Sequence, residues 1–199
     1  PGNAGNPFKI FGSKLAKGRA DGRLDYVVVD PVLNNSNNLA AADRGRWVPI
    51  RPGTDGALVM GIMRWMFDNN KVNADYLAWP NLKAAHAAGE PSFTNAGWLL
   101  ITQDGHPRQG RFVRGSDIGI EVASEEQYKD ADPYVIATAA GELVAAGSAM
   151  VPAVLDASRV IELDGKPVTV KTPFEMLRES ARRFDIAEYS ALCGVPEEV

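Results

Sequence analysis

Leu24-Asp25-Tyr26-Val27-Val28-Val29-Asp30-Pro31 is the stretch on which the reading of the fold turns. Its unbroken β-branched run predicts a strand buried on both faces, the pattern of a parallel sheet. Pro31 has no amide hydrogen to give a ladder and ends the run. Upstream, Phe8-Lys9-Ile10 reads as a short apolar strand, Phe11-Gly12-Ser13-Lys14 as the turn after it, and Leu15 to Arg23 as a polar helix. Downstream, the alanine-rich segment 39–46 reads as helix, and Trp47-Val48-Pro49-Ile50 as a third strand that Pro52-Gly53 breaks. Thr54 or Asp55 can then cap a helix running to about Asn69. Along it Leu58, Ile62, Trp65 and Met66 fall on one stripe, expected to be buried.

Residues up to about 70 thus alternate strand and helix three times, which predicts an α/β fold with a doubly wound, mostly parallel (Rossmann-like) sheet. Segment 1–83 is the expected cofactor-binding part. Segment 84–132 is rich in Gly, Ser, Asn and Arg and reads as an irregular insertion, with one strand at Trp98-Leu99-Leu100-Ile101-Thr102. Segment 133–171 reads as an inserted or appended β-hairpin region. Tyr134 to Ala137 and Leu143 to Ala145 flank a turn at Ala140-Gly141; Arg159 to Leu163 and Lys166 to Val170 flank Asp164-Gly165, a favoured type I′ pair. Segment 172–199 reads as C-terminal helices. Thr172-Pro173-Phe174-Glu175 opens the first with a capping box, and its stripe is Phe174, Leu177, Ala181 and Phe184. Asp185 with Glu188 opens a second, which ends at Gly194. The loop-like opening run and the closing Val195-Pro196-Glu197 suggest a segment of a longer protein.

The 199 residues suffice for one compact domain or a domain with an insertion. Hydrophobic residues make up 45% and charged residues 23%, which excludes a disordered or fibrous chain. A net charge of -4 argues against nucleic acid as partner, because phosphate backbones select basic surfaces. No run approaches the roughly 20 apolar residues of a membrane span. The single cysteine, Cys193, cannot form an internal disulfide or hold an iron–sulfur cluster, so no residue here is expected to be a metal ligand.

Ligands of parallel sheets bind beyond the carboxyl ends of the strands, where three segments are expected to meet. Gly12-Ser13-Lys14 would offer backbone amides to a diphosphate at a helix start, with Lys14, Lys17 and Arg19 neutralising it. Asp30, with Pro31 and Val32, lies 18 residues beyond Gly12, a place from which an acid commonly binds ribose hydroxyls. Arg51-Pro52-Gly53-Thr54-Asp55 brings a hydroxyl, a carboxylate and a helix start together, and Asp55 could accept from the N1–H and amino group of a guanine. Each segment also suits a plain structural role. There is no full G-x-G-x-x-G, Asp30-Pro31 can simply stop a strand, and capping is the commoner use of Thr54 and Asp55. His86 and His106 lack ligands at metal spacing and are expected at the surface. Arg108, Arg111 and Arg114 with Phe112 suit either an anion site or a solvated strand face, while Met60, Met63 and Met66 read as core filler. Ser190 and Cys193 have no neighbouring base, so no catalytic residue is expected.

Val27-Val28-Val29-Asp30-Pro31 followed by Trp47-Val48-Pro49-Ile50-Arg51-Pro52-Gly53-Thr54-Asp55-Gly56-Ala57-Leu58 resembles the molybdopterin oxidoreductases of the dimethyl sulfoxide reductase family. There a V-V-D-P strand end and a P-x-x-P-G-T-D-x-A-L segment help enclose one molybdopterin guanine dinucleotide. Phe11 to Lys14 resembles that family's G-x-N segment along the diphosphate, with Asn3 or Ser13 standing for the asparagine. Thr172 to Leu177 and Cys193 to Glu197 resemble its T-x-F-E-x-L and T-G-V-P-x-E stretches. The likeness reaches from about residue 8 to the end, with 84–132 least typical. The Asp30 to Asn35 run and its Asn-rich continuation are most similar to the members acting on tetrathionate, although Val32 stands where most members have Arg.

The resemblance implies a parent enzyme with a bis(molybdopterin guanine dinucleotide) molybdenum cofactor and an N-terminal [4Fe–4S] cluster. It implies electrons drawn from a membrane quinol-oxidising subunit through an iron–sulfur electron-transfer subunit, in anaerobic respiration. The substrate would be a small sulfur oxyanion, tetrathionate giving two thiosulfates, on the periplasmic side of the cytoplasmic membrane. The cluster cysteines, the molybdenum ligand and the export signal are expected outside this segment, which is expected to be inactive alone. Reduction of thiosulfate, polysulfide or arsenate, or a non-catalytic nucleotide-binding module, are the alternatives.

Overall fold

The computed structural model describes residues 9–25, 27–33, 46–120 and 132–198. It is a mixed α/β structure of helices and small sheets, divided into two compact units: Pro1–Trp65 with Ala181–Val199, and Met66–Ser180. Residues 39–45 of the helix expected over 39–46 and the segment 121–131 lie outside the described residues, while Arg46 is in a strand rather than a helix.

In the first unit, helix α1 spans Lys9–Ala20. The strand expected at Phe8 to Ile10 and the turn expected at Gly12-Ser13-Lys14 are therefore corrected: Lys9 to Lys14 are helical. Good helix formers, Lys, Leu and Ala, lie on its C-terminal side, and helix propagation is easier than nucleating a three-residue strand. Lys17 and Arg19 sit in the last turn, where cations favour the carbonyl end of the helix. Gly22, at φ 69°, then stops it. The Arg23 amide donates to Gly18 O and the Gly22 amide to Arg19 O, both at 2.9 Å.

Strand β1 (Val27–Val29) pairs in parallel with β2 (Arg46–Val48), Val28 opposite Trp47 and Val29 opposite Val48. The parallel pairing expected from the valine run is present. Burial on both faces is not, since Val27 is 56% and Val29 47% exposed. A two-stranded pair has too little area to cover both faces of a strand. Helix α2 (Asp55–Asp68) follows, its first amides at Ala57 and Leu58 donating to Thr54 O. It ends at Asn70, φ 56°, where the Lys71 amide bonds Met66 O at 2.9 Å. Of its expected buried stripe, Ile62 and Trp65 are exposed and only Leu58 and Met66 are partly covered. Helical periodicity identifies an apolar face but not what covers it.

Short helices α3 (Ala74–Leu77) and α4 (Leu82–Ala87) lie in the second unit. The Asn81 amide group there donates to Ala146 O and Ala149 O, each at 2.7 Å, while its oxygen caps α4 through the Ala84 amide. Strands β3 (Leu100–Ile101), β6 (Ser158–Leu163) and β7 (Lys166–Lys171) form an antiparallel sheet in the order β3-β7-β6. The β6–β7 hairpin turns through Asp164 and Gly165 at φ 51° and 72°, the type I′ geometry its sequence predicts. Strands β4 (Val135–Ala137) and β5 (Leu143–Ala145) form the other expected hairpin, with Gly141 at φ 87° in the turn. Leu99, Ile101, Val113, Val135, Leu163, Val168 and Val170 make the core.

Helix α5 (Pro173–Ala181) starts at Thr172, which is fully buried. Its hydroxyl accepts from the Glu175 amide at 3.2 Å and donates to Leu155 O. Only half of the expected capping box forms: the Thr172 amide donates to Ala157 O at 3.0 Å, and the Glu175 carboxylate pairs with Arg178. On its expected stripe Ala181 is buried, whereas Leu177 and Phe184 are 39% exposed. Helix α6 (Ile186–Cys193) belongs to the first unit. Both halves of the Asp185–Glu188 capping box are present at 2.8 Å, and Gly194 at φ 74° closes the helix.

Candidate functional site at the carboxyl ends of the parallel strands

Because β1 and β2 run in parallel and in register, the residues that follow them emerge at the same edge. After β1, the Asp30 carboxylate accepts from the Val32 amide at 2.9 Å, an Asx turn that folds Pro31 and Val32 over the strand end. The Asp30 amide donates to Val48 O at 3.2 Å, and the Trp47 indole donates to Asp30 O at 2.8 Å. Trp47 thus clamps the end of β1 from the neighbouring strand, a contact that no local pattern announces.

After β2, Ile50 is buried with Val48, Cys193 and Val195, and the chain turns outward through Pro52 and Gly53, which has φ 79°. The Thr54 hydroxyl donates to Arg51 O at 2.6 Å, and the Thr54 amide reaches the same oxygen at 3.3 Å. That closed turn fixes the start of α2, which follows β2 at its carboxyl end. Asp55 occupies that first turn with its carboxylate exposed and, among the described residues, without a hydrogen-bond partner. Among the described residues, a Cβ built on Gly53 or Gly56 would meet nothing within 4 Å.

Arg51 lies differently from a residue aimed at a ligand. Its guanidinium donates to Leu192 O at 2.9 Å and Ala191 O at 3.3 Å, and its amide to Cys193 O at 2.8 Å. These are the orphan carbonyls at the end of α6, where a cation is favoured. The Ser190 hydroxyl donates to Val195 O at 2.6 Å, continuing the same tie. The run from Cys193 to Val195 therefore borders the site, which the spacing of site residues did not suggest.

The structure brings Asp30, Pro31, Val32, Gly53, Thr54 and Asp55 to the carboxyl edge of one parallel strand pair. It does not give Gly12, Ser13 and Lys14 the expected free backbone. As residues of α1, Ser13 and Lys14 direct their amides into the helix's own ladder, leaving only exposed side chains to offer a ligand. Among the described residues, none of the three bonds the Asp30 or Thr54 segments.

Several of the second unit's charged groups are committed to one another. Arg108 donates to Asp117 at 2.5 Å, a hydrogen bond that raises its pKa further above the neutral range, and lies 3.8 Å from Asp164. Arg114 stacks 3.8 Å over the Tyr134 ring, itself stacked on Trp98 with centroids 4.1 Å apart. His86 is exposed, and His106 Nδ1 accepts from the Arg108 amide at 3.1 Å. A shallow groove contains Lys171 and Glu179, paired at 2.5 Å. Among the described residues no cluster of three or more His, Cys, Asp or Glu could hold a metal ion, and no helix is long and apolar enough to cross a membrane.

No protein-family model matches the chain. It is 41% identical over 99% of its length to a tetrathionate reductase subunit of Salmonella typhimurium, and 32% identical over 88% to its namesake in Archaeoglobus fulgidus. It is 29% identical over 92% to a selenate reductase subunit of Mesobacillus selenatarsenatis. The chain spans only 18%, 14% and 16% of those proteins, respectively.

Proposed function

Since the chain belongs to the dimethyl sulfoxide reductase family of molybdopterin oxidoreductases and matches a segment of much longer members, we propose that it holds the guanosine end of a molybdopterin guanine dinucleotide. The observation that carries this reading is Asp55, a carboxylate on the first turn of α2 with no hydrogen-bond partner among the described residues, in the segment that leaves β2 at the same edge where Asp30 leaves β1. The residues suit the group. A carboxylate presents two acceptors to the adjacent N1–H and amino donors of guanine, and the glycines at 53 and 56 put no side chain of their own in the approach, with nothing within 4 Å of either Cβ position among the described residues. Thr54 already gives its hydroxyl hydrogen to Arg51 O, so it meets a ligand only as an acceptor. Asp30 is assigned to the ribose, with Pro31 and Val32 shaping the turn that presents it. Ser13 and Lys14 are assigned to the diphosphate through their side chains, Gly12 leaving room beside them. When bound, the molybdenum cofactor supplies the two-electron redox chemistry; this segment orients it and fixes its electrostatics.

For the whole parent, the reaction proposed is reduction of tetrathionate to thiosulfate, supported by the 41% identity to a protein of that name. The cofactor is assigned as the bis(molybdopterin guanine dinucleotide) form, with a [4Fe–4S] cluster elsewhere in the parent, since Cys193 is this chain's one thiol. The partners proposed are an iron–sulfur electron-transfer protein and a quinol-oxidising membrane protein, on the periplasmic side of the membrane. β1 and β2 are read as two strands of a doubly wound parallel sheet completed by other parts of the parent, in keeping with the exposed Val27 and Val29.

Asp55→Ala in the full-length enzyme tests the site. Losing charge-assisted hydrogen bonds worth roughly 1.5–3 kcal/mol each should cut bound GMP, measured after acid release, at least tenfold. Asp55→Asn should not restore it, because the amide turns a donor toward guanine donors. Unchanged GMP content in both variants sinks the assignment. Turnover of tetrathionate, thiosulfate, selenate and arsenate by the purified enzyme with a reduced viologen dye tests the substrate.

A further inference from the structure

Resting on the guanosine reading above, we propose that Arg51 is a positioning residue that makes the end of α6 a wall of the same site and never touches the cofactor. Its guanidinium is held by Ala191 O and Leu192 O, and its amide by Cys193 O. Its own carbonyl receives both the hydroxyl and the amide of Thr54. One residue therefore joins the last turn of α6 to the turn that aims Asp55. Gly194, at φ 74°, bends the chain beside it, where an added Cβ would lie 3.9 Å from both Arg51 Cβ and Nη2. Val195 then packs with Val48, Ile50 and Cys193, a cluster that Ala57 and Leu58 of α2 also join. Release of Arg51 would free the α6 end and the Asp55 turn together, with every proposed ligand-contacting side chain still in place.

The test uses the full-length, cofactor-loaded enzyme with Arg51→Ala, Arg51→Lys and Gly194→Ala, and Asp55→Ala as a control. Bound GMP per enzyme molecule and hydrogen exchange of peptides covering 51–58 and 190–198 are measured together. Arg51→Ala should raise exchange at least fivefold in both peptides and lower GMP content at least threefold. Arg51→Lys should recover half or more of each change, because an ammonium still reaches a carbonyl at a helix end. Gly194→Ala, which strains the bend without removing any polar group, should reproduce the paired change. Loss of GMP with unaltered exchange at 190–198 would make Arg51 a direct ligand contact and overturn the proposal. Loosening at 190–198 with wild-type GMP content would overturn it equally. If Arg51→Ala does not fold, the Lys and Gly194 variants decide by the same criteria. Wild-type GMP in Asp55→Ala would remove the guanosine reading alone, and the paired exchange would still report whether Arg51 couples the two segments.

Discussion

Gly97 precedes β3 in the second unit and is buried, and a methyl group there would lie 2.4 Å from Ala153 Cβ. Its other neighbours, Ala153 Cα and Leu155 Cδ2, would both be at an ordinary 3.7 Å. Ala153 is held in place, 6% exposed, its amide donating to Ala78 O at 2.8 Å. The clash thus depends on one atom pair, and both partners can be changed. Gly97→Ala forces a shift of backbone or core and should cost about 1–3 kcal/mol. Ala153→Gly removes a buried methyl, about 0.8 kcal/mol, and adds backbone freedom to the unfolded chain worth about 0.5–1 kcal/mol. The double variant places one methyl where one was before, and Gly97 does not have a positive φ that a side chain would strain. Its stability should fall within about 1 kcal/mol of the parent, leaving a coupling of about 1–5 kcal/mol. Urea denaturation followed by tryptophan fluorescence and by far-ultraviolet circular dichroism gives all four corners of the cycle. Additivity within about 0.5 kcal/mol would refute the argument, for it would mean the loop relaxes freely around residue 97.

Thr172→Val keeps the shape but loses a donor to Leu155 O and the cap of α5, and should destabilise by about 2–3 kcal/mol in the same assay, with Thr172→Ser within about 1 kcal/mol. Gly165→Val forces a β-branched residue to φ 72° and should cost at least about 1–2 kcal/mol, visible as a lower urea midpoint. Arg108→Gln should lower stability by an amount that does not change between pH 6 and 9. A cation whose folded pKa is raised stabilises at every pH below its unfolded value, and both lie far above that window. A cost that shrinks steadily toward pH 9 in parallel urea titrations would contradict the assigned pair with Asp117.

The features legible beforehand are those written in a few neighbouring residues. Asp164-Gly165 demands two positive φ angles and specifies its own hairpin; Asp185 with Glu188 and the closing Gly194 bracket α6; Thr54 starts α2; the valine run finds a parallel partner. The apolar run from Phe8 to Ile10 resembles a strand only in isolation; the helix-favouring residues that follow it carry Lys9–Ala20 into α1. The exposed positions Ile62 and Trp65 show the limit of periodicity, which marks an apolar face without naming its cover. Within the site, Thr54 and Asp55 could be read from a capping pattern, whereas the Trp47 clamp and the Arg51 tie depend on partners that meet only after folding.

The Arg51 bonds also set a schedule. Their acceptors stand 140 and 141 residues further along the chain. At about 5–20 residues per second, a ribosome that has made Arg51 delivers Leu192 roughly 7–28 s later. Throughout that interval the ribosome makes Met66–Ser180, a unit with its own core, while the first unit waits for its last helix. On the guanosine reading proposed above, cofactor insertion follows synthesis of Leu192, and a ribosome pause placed before codon 186 would lengthen the time for which the nascent chain offers Asp55 on an unsupported turn.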